Sequence, residues 1–412
     1  MRDATPIASA SEYRTPDRAR RARRLAGAGR ARRRARATVA ALAVSGAIVV
    51  AAVSPVAASA HAAKAANSFV QTNLVADNAS FGAALTDTNL TNAWGLAAGP
   101  QTLLWVSDNN SGVVTAYSGG VHGSPVMLQL TEPVPGGNPT GQVFNPTASS
   151  AKPAFPVGGM SGSPAFFIVS SDSIGATQSP GEIAAWSGGT SFVVEDSPTG
   201  GPGGTTPSGA VFKGLAITTT AKAGPELLAA DVANGTVDVF DRNFAPVSAP
   251  GAFTDPQIPA GFAPFGIQVL KKKVYVSYVM QNATKTDGVP GAGLGFVDVY
   301  SGGGKLVRHL VAGGTGSPLD EPWGMAIAPR HFGPFSGKLL VGDLGDGRIN
   351  VFNPKNGMFM GTLMGKNGMP LTIDGLWGLA VGSNVFGGST SVVFSAGPNG
   401  YADGLVGTLS PG

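Results

Sequence analysis

Four carboxylates recur at one place in a repeated pattern. Asp108, Asp172, Asp231 and Asp343 each end a short apolar run, in LLWVSD, FFIVSSD, LLAAD and LLVGD. Carboxylates are hard oxygen ligands, and several brought to one point would hold Ca2+ or Mg2+. The same residues suit a second role. Asp108, Asp231 and Asp343 stand before Gly-containing turns, where an Asp side chain accepts from backbone N–H groups. The sequence favours the turn role and leaves the metal role open; no other cofactor is expected.

A second set is aromatic. Trp94, Trp323 and Trp377 each precede a glycine, and Phe265 stands in the same place. Aromatic rings at the mouth of a channel could stack on a sugar or a peptide side chain. They could equally pack blade against blade, the glycine permitting close approach near a crowded axis. His122, His309 and His331 fall in loops or outer strands and form no HExxH or HxH pair, so no catalytic role is expected of them. There is no G-x-S-x-G elbow and no P-loop. DLGDG at Asp343 lacks the spacing and the distal Glu of an EF-hand. Lys271, Lys272 and Lys273 read as a solvated hairpin turn between two strands.

These residues sit on strands. The 412 residues include 61 Gly and 31 Pro, yet 43% are hydrophobic. Glycine and proline at this density would interrupt every helix of a bundle. With no Cys, a disulfide framework and a thiolate metal site are both excluded. Residues 1–60 carry 12 of the 28 Lys and Arg and 3 of the 24 acids. The body is therefore mildly acidic, and the basic balance of the whole chain gives no reason to expect a nucleic-acid partner.

The basic run from Arg14 to Arg36 leads into an apolar stretch from Ala37 to about Ala58 with A-x-A patterns behind it. That is the form of an export signal, with cleavage expected near residues 60–66. A retained single-span anchor is the alternative. Residues 1–66 are thus expected to be a leader and 67–412 a single domain, secreted or wall-associated, monomeric and without a membrane span once the leader is removed.

One strand pattern recurs six times, as GVVTAYSGG, GEIAAWSGG, GTVDVFDRN, GFVDVYSGG, GRINVFNPK and GLVGTLSPG, from Gly112, Gly181, Gly235, Gly295, Gly347 and Gly404. Upstream of each lies a second apolar run, which ends in the Asp in four units while Tyr278 and Ala396 stand near that place in the fourth and sixth, and further upstream a run opening on Gly, such as WGLAAG or KGLAIT. The second unit has the weaker TGQVFN from Thr140. Most units end in a fourth run, such as VMLQL or KLVRHL. The segments Thr131–Gly162, Ser197–Ser208 and Asn282–Gly293 read as loops. Three or four strands in each of six units predict an all-β chain folded as a six-bladed β-propeller. The last unit lacks a fourth strand, and SFVQTNLVA from Ser68 is expected to supply it and close the ring.

TDTNLTNAWGLA from Thr86, FKGLAI, AADVANGTVDVFD, GFAPFGIQ, EPWGMAIAP, LLVGDLGDGRINVF and GLWGLAVG together resemble a family of exported bacterial proteins with NHL-like propeller repeats and no assigned activity. The resemblance implies a six-bladed NHL-like propeller outside the cytoplasm and implies no reaction. The expected function is binding or scaffolding of a protein, peptide or envelope polysaccharide. The alternative is a hydrolase or lactonase using a divalent metal at the central channel.

Overall fold

The computed structural model describes residues 66–172, 181–189, 192–196 and 209–412. The chain divides into two units, Met1–His61 and Ala62–Gly412. The expected leader up to residue 65 and the whole of the Ser197–Ser208 loop lie outside the described residues.

The described chain is built of short strands, and no helix in it is long and apolar enough to cross a membrane. Strand β1 (Phe69–Ala76) comes first, with a two-residue strand β2 (Leu85–Thr86) parallel to it. Blade 1 follows as β3 (Ala93–Ala97), β4 (Leu104–Asp108), β5 (Val113–Ser118) and β6 (Met127–Pro133). Blade 2 is β7 (Pro139–Phe144), β8 (Phe167–Ser171), β9 (Ile183–Trp186) and β10 (Val193–Asp196). Among the described residues blade 3 has three strands, β11 (Phe212–Thr220), β12 (Gly224–Asp231) and β13 (Thr236–Phe240).

Blade 4 is β14 (Phe262–Leu270), β15 (Lys273–Met280), β16 (Gly295–Tyr300) and β17 (Leu306–Val311). Blade 5 is β18 (Pro322–Ile327), β19 (Leu339–Asp343), β20 (Ile349–Phe352) and β21 (Phe359–Thr362). Blade 6 is β22 (Leu376–Val381), β23 (Val392–Ala396) and β24 (Leu405–Pro411), and β1 is its outer strand. The protein is a six-bladed β-propeller. β1 runs antiparallel to β24 from Phe69 opposite Pro411 to Ala76 opposite Leu405, which closes the ring as expected.

Two sequence expectations need refinement. TGQVFN does form an inner strand, β7, in register with the other five. The stretch Thr131–Gly162 is not all loop, because β6 reaches Pro133 and β7 begins at Pro139. Most β6 residues are exposed, so its apolar alternation is weak, and Pro139 stands at the first position of a strand, where no ladder donor is lost.

The core lies between blades. Second strands such as Leu227–Ala230 bury both faces, because neighbours press on each. Leu227 and Ala229 pack toward blade 2, whereas Leu228 and Ala230 pack toward blade 4. In the same way Leu339 and Val341 face blade 4, and Leu340 faces blade 6. A blade cut from the ring would expose both faces, so stability comes from stacking.

Candidate functional site

The axis is set by one local irregularity repeated six times. Each inner strand breaks register with its second strand around a glycine: Gly95, Gly141, Gly214, Gly266, Gly324 and Gly378. A bulge there bends the strand and brings its backbone onto the next blade. A Cβ on Gly95 would overlap the Thr140 carbonyl, one on Gly266 the Trp323 carbonyl, and one on Gly324 the Trp377 carbonyl. Serines on second strands secure the bulges: Ser277 Oγ accepts from Gly266 N at 3.0 Å and Ser395 Oγ from Gly378 N at 2.9 Å. The glycines pinch the channel to a cavity of about 10 Å³, room for a single water at most.

On one side of this waist stand the residues that precede the glycines, Trp94, Thr140, Lys213, Phe265, Trp323 and Trp377. The four aromatics expected to line a ligand site are here, brought together and buried. Trp94 and Trp377 stack with centroids 3.6 Å apart, and Trp323 meets Trp377 edge-on at 5.9 Å. Trp377 Nε1 donates to Asn92 Oδ1 at 3.0 Å and Trp323 Nε1 to the Lys213 carbonyl at 3.1 Å. The rings close this end against one another.

Lys213 stands where blades 1, 5 and 6 carry Trp, and its side chain is 0% exposed. Its ammonium pairs with Asp172 at 2.8 Å and Asp287 at 3.5 Å, and lies 4.6 Å from the centre of the Trp94 ring. Burial alone would lower its pKa; the two carboxylates outweigh that and raise it. One cation thus ties blades 2, 3 and 4 together. Glu321, 4% exposed, lies in the same field. Burial first, then the charges of Asp287 and Asp320, push its carboxyl up to about 8 against the opposing pull of Lys213.

The four second-strand carboxylates have separate partners. Asp172 holds Lys213. Asp231 Oδ1 accepts from the backbone N–H groups of Val211, Ala233 and Asn234 at 3.0–3.2 Å. Asp108 Oδ2 accepts from Thr115 Oγ1 at 2.7 Å, and Asp343 Oδ2 from Asn350 Nδ2 at 2.6 Å. Burial drives the Asp108 and Asp343 carboxyls well above their ordinary range. Among the described residues, one group of three His, Asp or Glu has ligand atoms within 4.8 Å of one another. It is Asp255, Asp298 and His309, away from the axis, and it contains none of these four.

Beyond the waist the channel opens into a funnel of about 500 Å³, walled by residues of all six inner strands. The position after each glycine holds Leu96, Gln142, Leu215, Ile267, Met325 and Leu379; the next holds Ala97, Val143, Ala216, Gln268, Ala326 and Ala380. Gln142 thus interrupts a column of large apolar residues and Gln268 a column of small ones. Gln142 is 5% exposed, and its Nε2 is buried without a hydrogen-bond partner. Its Oε1 accepts weakly from Ser107 Oγ at 3.4 Å. Lys271, in the tight turn between β14 and β15, lines the funnel as well. Neither amide was singled out from the sequence. Aligning the six inner strands column by column would have marked both, and Lys213 with them.

The fold and axis define a six-bladed propeller plugged at one end and open at the other. The chain belongs to the family of uncharacterized protein R648 of Acanthamoeba polyphaga mimivirus, with which it is 30% identical over 346 residues, 82% of this chain and 79% of that protein. Protein L690 of the same virus is 35% identical over 203 residues, 48% of this chain and 51% of that one. These relatives are viral, so they do not support the bacterial affiliation that the resemblance implied. No family model matches the chain. Among solved structures, the α-L-arabinanase of Penicillium chrysogenum is similar with a TM-score of 0.53 and 12% identity, covering 83% of this chain and 97% of that one. The soluble aldose sugar dehydrogenase of Escherichia coli is similar with a TM-score of 0.50 and 10% identity, covering 84% and 100%. At such identities the likeness is one of fold alone.

Proposed function

We propose that the protein is a binding module that takes an apolar peptide segment into the axial funnel. The observation that carries this reading is the unpartnered Gln142 Nε2 at the base of an apolar funnel of ligand size. Pockets of a few hundred Å³ with apolar walls and a few placed polar groups are the usual form of a ligand site. An amide offers a donor and an acceptor, which matches the backbone of a peptide. A glycan would call for open aromatic faces, and the axial tryptophans are buried against one another. Lys271 at the funnel favours an acidic residue in the segment. On this reading the chain works outside the cytoplasm as a monomer, with residues 1–66 serving as its export leader.

The test is selection from a random peptide library against the whole chain, with Gln142→Leu/Gln268→Ala as the comparison. Peptides enriched on the wild type are expected to bind the variant at least about tenfold more weakly, since each lost hydrogen bond is worth about 1 kcal/mol. Equal binding by the variant, or no enrichment, overturns the reading.

A further inference from the structure

Among the described residues blade 3 has no full fourth strand. Residues 241–247 turn back on β13, where Val247 N donates to the Val239 carbonyl at 2.7 Å, and the chain then crosses toward blade 4, where Phe253 N donates to the Gly304 carbonyl at 2.8 Å and the Phe253 ring meets Tyr300 at 5.5 Å. This crossing delivers Asp255 to blade 4. Asp298 on β16 and His309 on β17 are cross-strand partners there. His309 Nδ1 lies 2.9 Å from Asp255 Oδ2 and 2.9 Å from Asp298 Oδ1. Both carboxylates are 0% exposed.

The oxygens are unequally served. Asp298 Oδ2 accepts from Tyr300 O–H at 3.1 Å, and the Tyr300 and Tyr278 hydroxyls are 2.6 Å apart. Asp255 Oδ1 accepts from Gln257 N at 2.8 Å. Each carboxylate thus has one oxygen held by its surroundings and the other turned toward the imidazole. The single hydrogen that Nδ1 can carry serves one of those two, and Asp298 Oδ1 makes no hydrogen bond. A buried carboxylate oxygen without a hydrogen-bond donor is expensive unless a cation faces it. Hydrogen bonds that fix the outer oxygen and aim the inner one are the usual support of a metal-binding carboxylate.

We infer that Asp255 Oδ2, Asp298 Oδ1 and His309 Nδ1 bind one divalent transition-metal ion, of the Zn2+ class, which fastens the 241–261 segment to blade 4. On bonds of about 2.1 Å, neighbouring ligands lie about 3.4 Å apart on a four-coordinate ion and about 3.0 Å apart on a six-coordinate one, so the two imidazole–carboxylate separations of 2.9 Å are nearer the six-coordinate spacing. One imidazole nitrogen with two carboxylate oxygens suits Zn2+, Co2+ or Mn2+ better than Ca2+ or Mg2+. His309 is 16% exposed, which leaves an approach for a water ligand. The site lies off the axis and is independent of the funnel.

Co2+ is the probe, titrated into the full chain after EDTA treatment, with visible absorption and bound metal both measured. One ion per chain is expected, displaced by Zn2+ and not by a similar concentration of Ca2+. Asp298→Asn and His309→Gln should each weaken binding at least about 100-fold, while His122→Gln and His331→Gln leave it unchanged. Asp255→Asn, which sits on the crossing segment rather than in a strand, serves as a third ligand variant should either of the others misfold; circular dichroism without metal reports the fold of each. Absence of stoichiometric binding, equal displacement by Ca2+, or full affinity in folded ligand variants overturns the inference.

Discussion

The two ends of the axis are made from adjacent positions of the same six strands, yet one is shut and the other open. Before the glycines stand large aromatic rings that fill the channel with one another; after them stand aliphatic residues that line a funnel. Both ends also carry departures from the repeat. Lys213 replaces an aromatic and finds Asp172 and Asp287, with its charge compensated inside the fold. Gln142 replaces an aliphatic residue and keeps a buried donor without a partner. A departure answered within the fold reads as architecture. One left unanswered reads as a place for something outside the fold.

Breaking the shut end should have the largest effect. Lys213→Met removes the cation and leaves the buried Asp172 uncompensated, a change that typically costs about 3–5 kcal/mol. Chemical unfolding of the variant should show a loss in that range, and a loss below about 1 kcal/mol would mean the pair is not what closes this end. Next is the waist. Gly324→Ala would drive a Cβ onto the Trp377 carbonyl. A cost of about 3 kcal/mol is expected, at the upper end for overpacking because backbone has to move. Gly303→Ala, where a Cβ meets nothing within 4 Å, is the matched control and should stay within about 0.5 kcal/mol.

The shut end should also set a pH dependence. Glu321 is pushed up to about 8 in the folded protein, against an ordinary value of 4.5. The unfolded chain gives up this proton from pH 4.5 upward while the folded chain keeps it. The stabilisation is therefore complete below pH 4.5 and is lost as pH rises toward 8. Between pH 5 and 7 the loss is about 2–3 kcal/mol. Glu321→Gln should flatten that part of the curve. Other raised carboxyls, such as Asp238 and Asp298, titrate in both proteins, so the difference between the two curves isolates Glu321. Parallel curves would place Glu321 in a more solvated setting.

The architecture was legible because it repeats. Six GxVxVF-type strands, five clear inner strands and an unfinished last blade predicted the ring and its closure by residues 68–76. The site was legible only in part. Trp94, Trp323, Trp377 and Phe265 do meet at the axis, but the sequence could not say whether their faces would be covered. Asp172 looked like its three counterparts; what distinguishes it is Lys213, 41 residues on and one blade away. Asp255, Asp298 and His309 span 54 residues and three different elements; Asp298 and His309 face each other across β16 and β17, and the crossing from blade 3 to blade 4 brings Asp255 to them. Contacts between neighbouring strands follow from a periodic pattern, whereas contacts made by a departure from the pattern need the three-dimensional ring.

The smallest effect is the most pointed, because its sign is unusual. Gln142→Leu/Gln268→Ala returns the funnel to the residues that other blades carry in those columns. Gln142→Leu removes a buried donor that has no partner and fills the place with an aliphatic group as on blades 1, 3 and 6. Leaving such a donor unsatisfied costs about 1–3 kcal/mol. The double variant should therefore be more stable than the wild type by about 1 kcal/mol, read as a higher denaturant midpoint with an unchanged slope. A gain in stability joined to a loss of peptide binding would mark the two amides as residues kept for a ligand at the expense of the fold. A variant less stable than the wild type would show that Gln142 is answered from within, and the open end would then be architecture like the shut one.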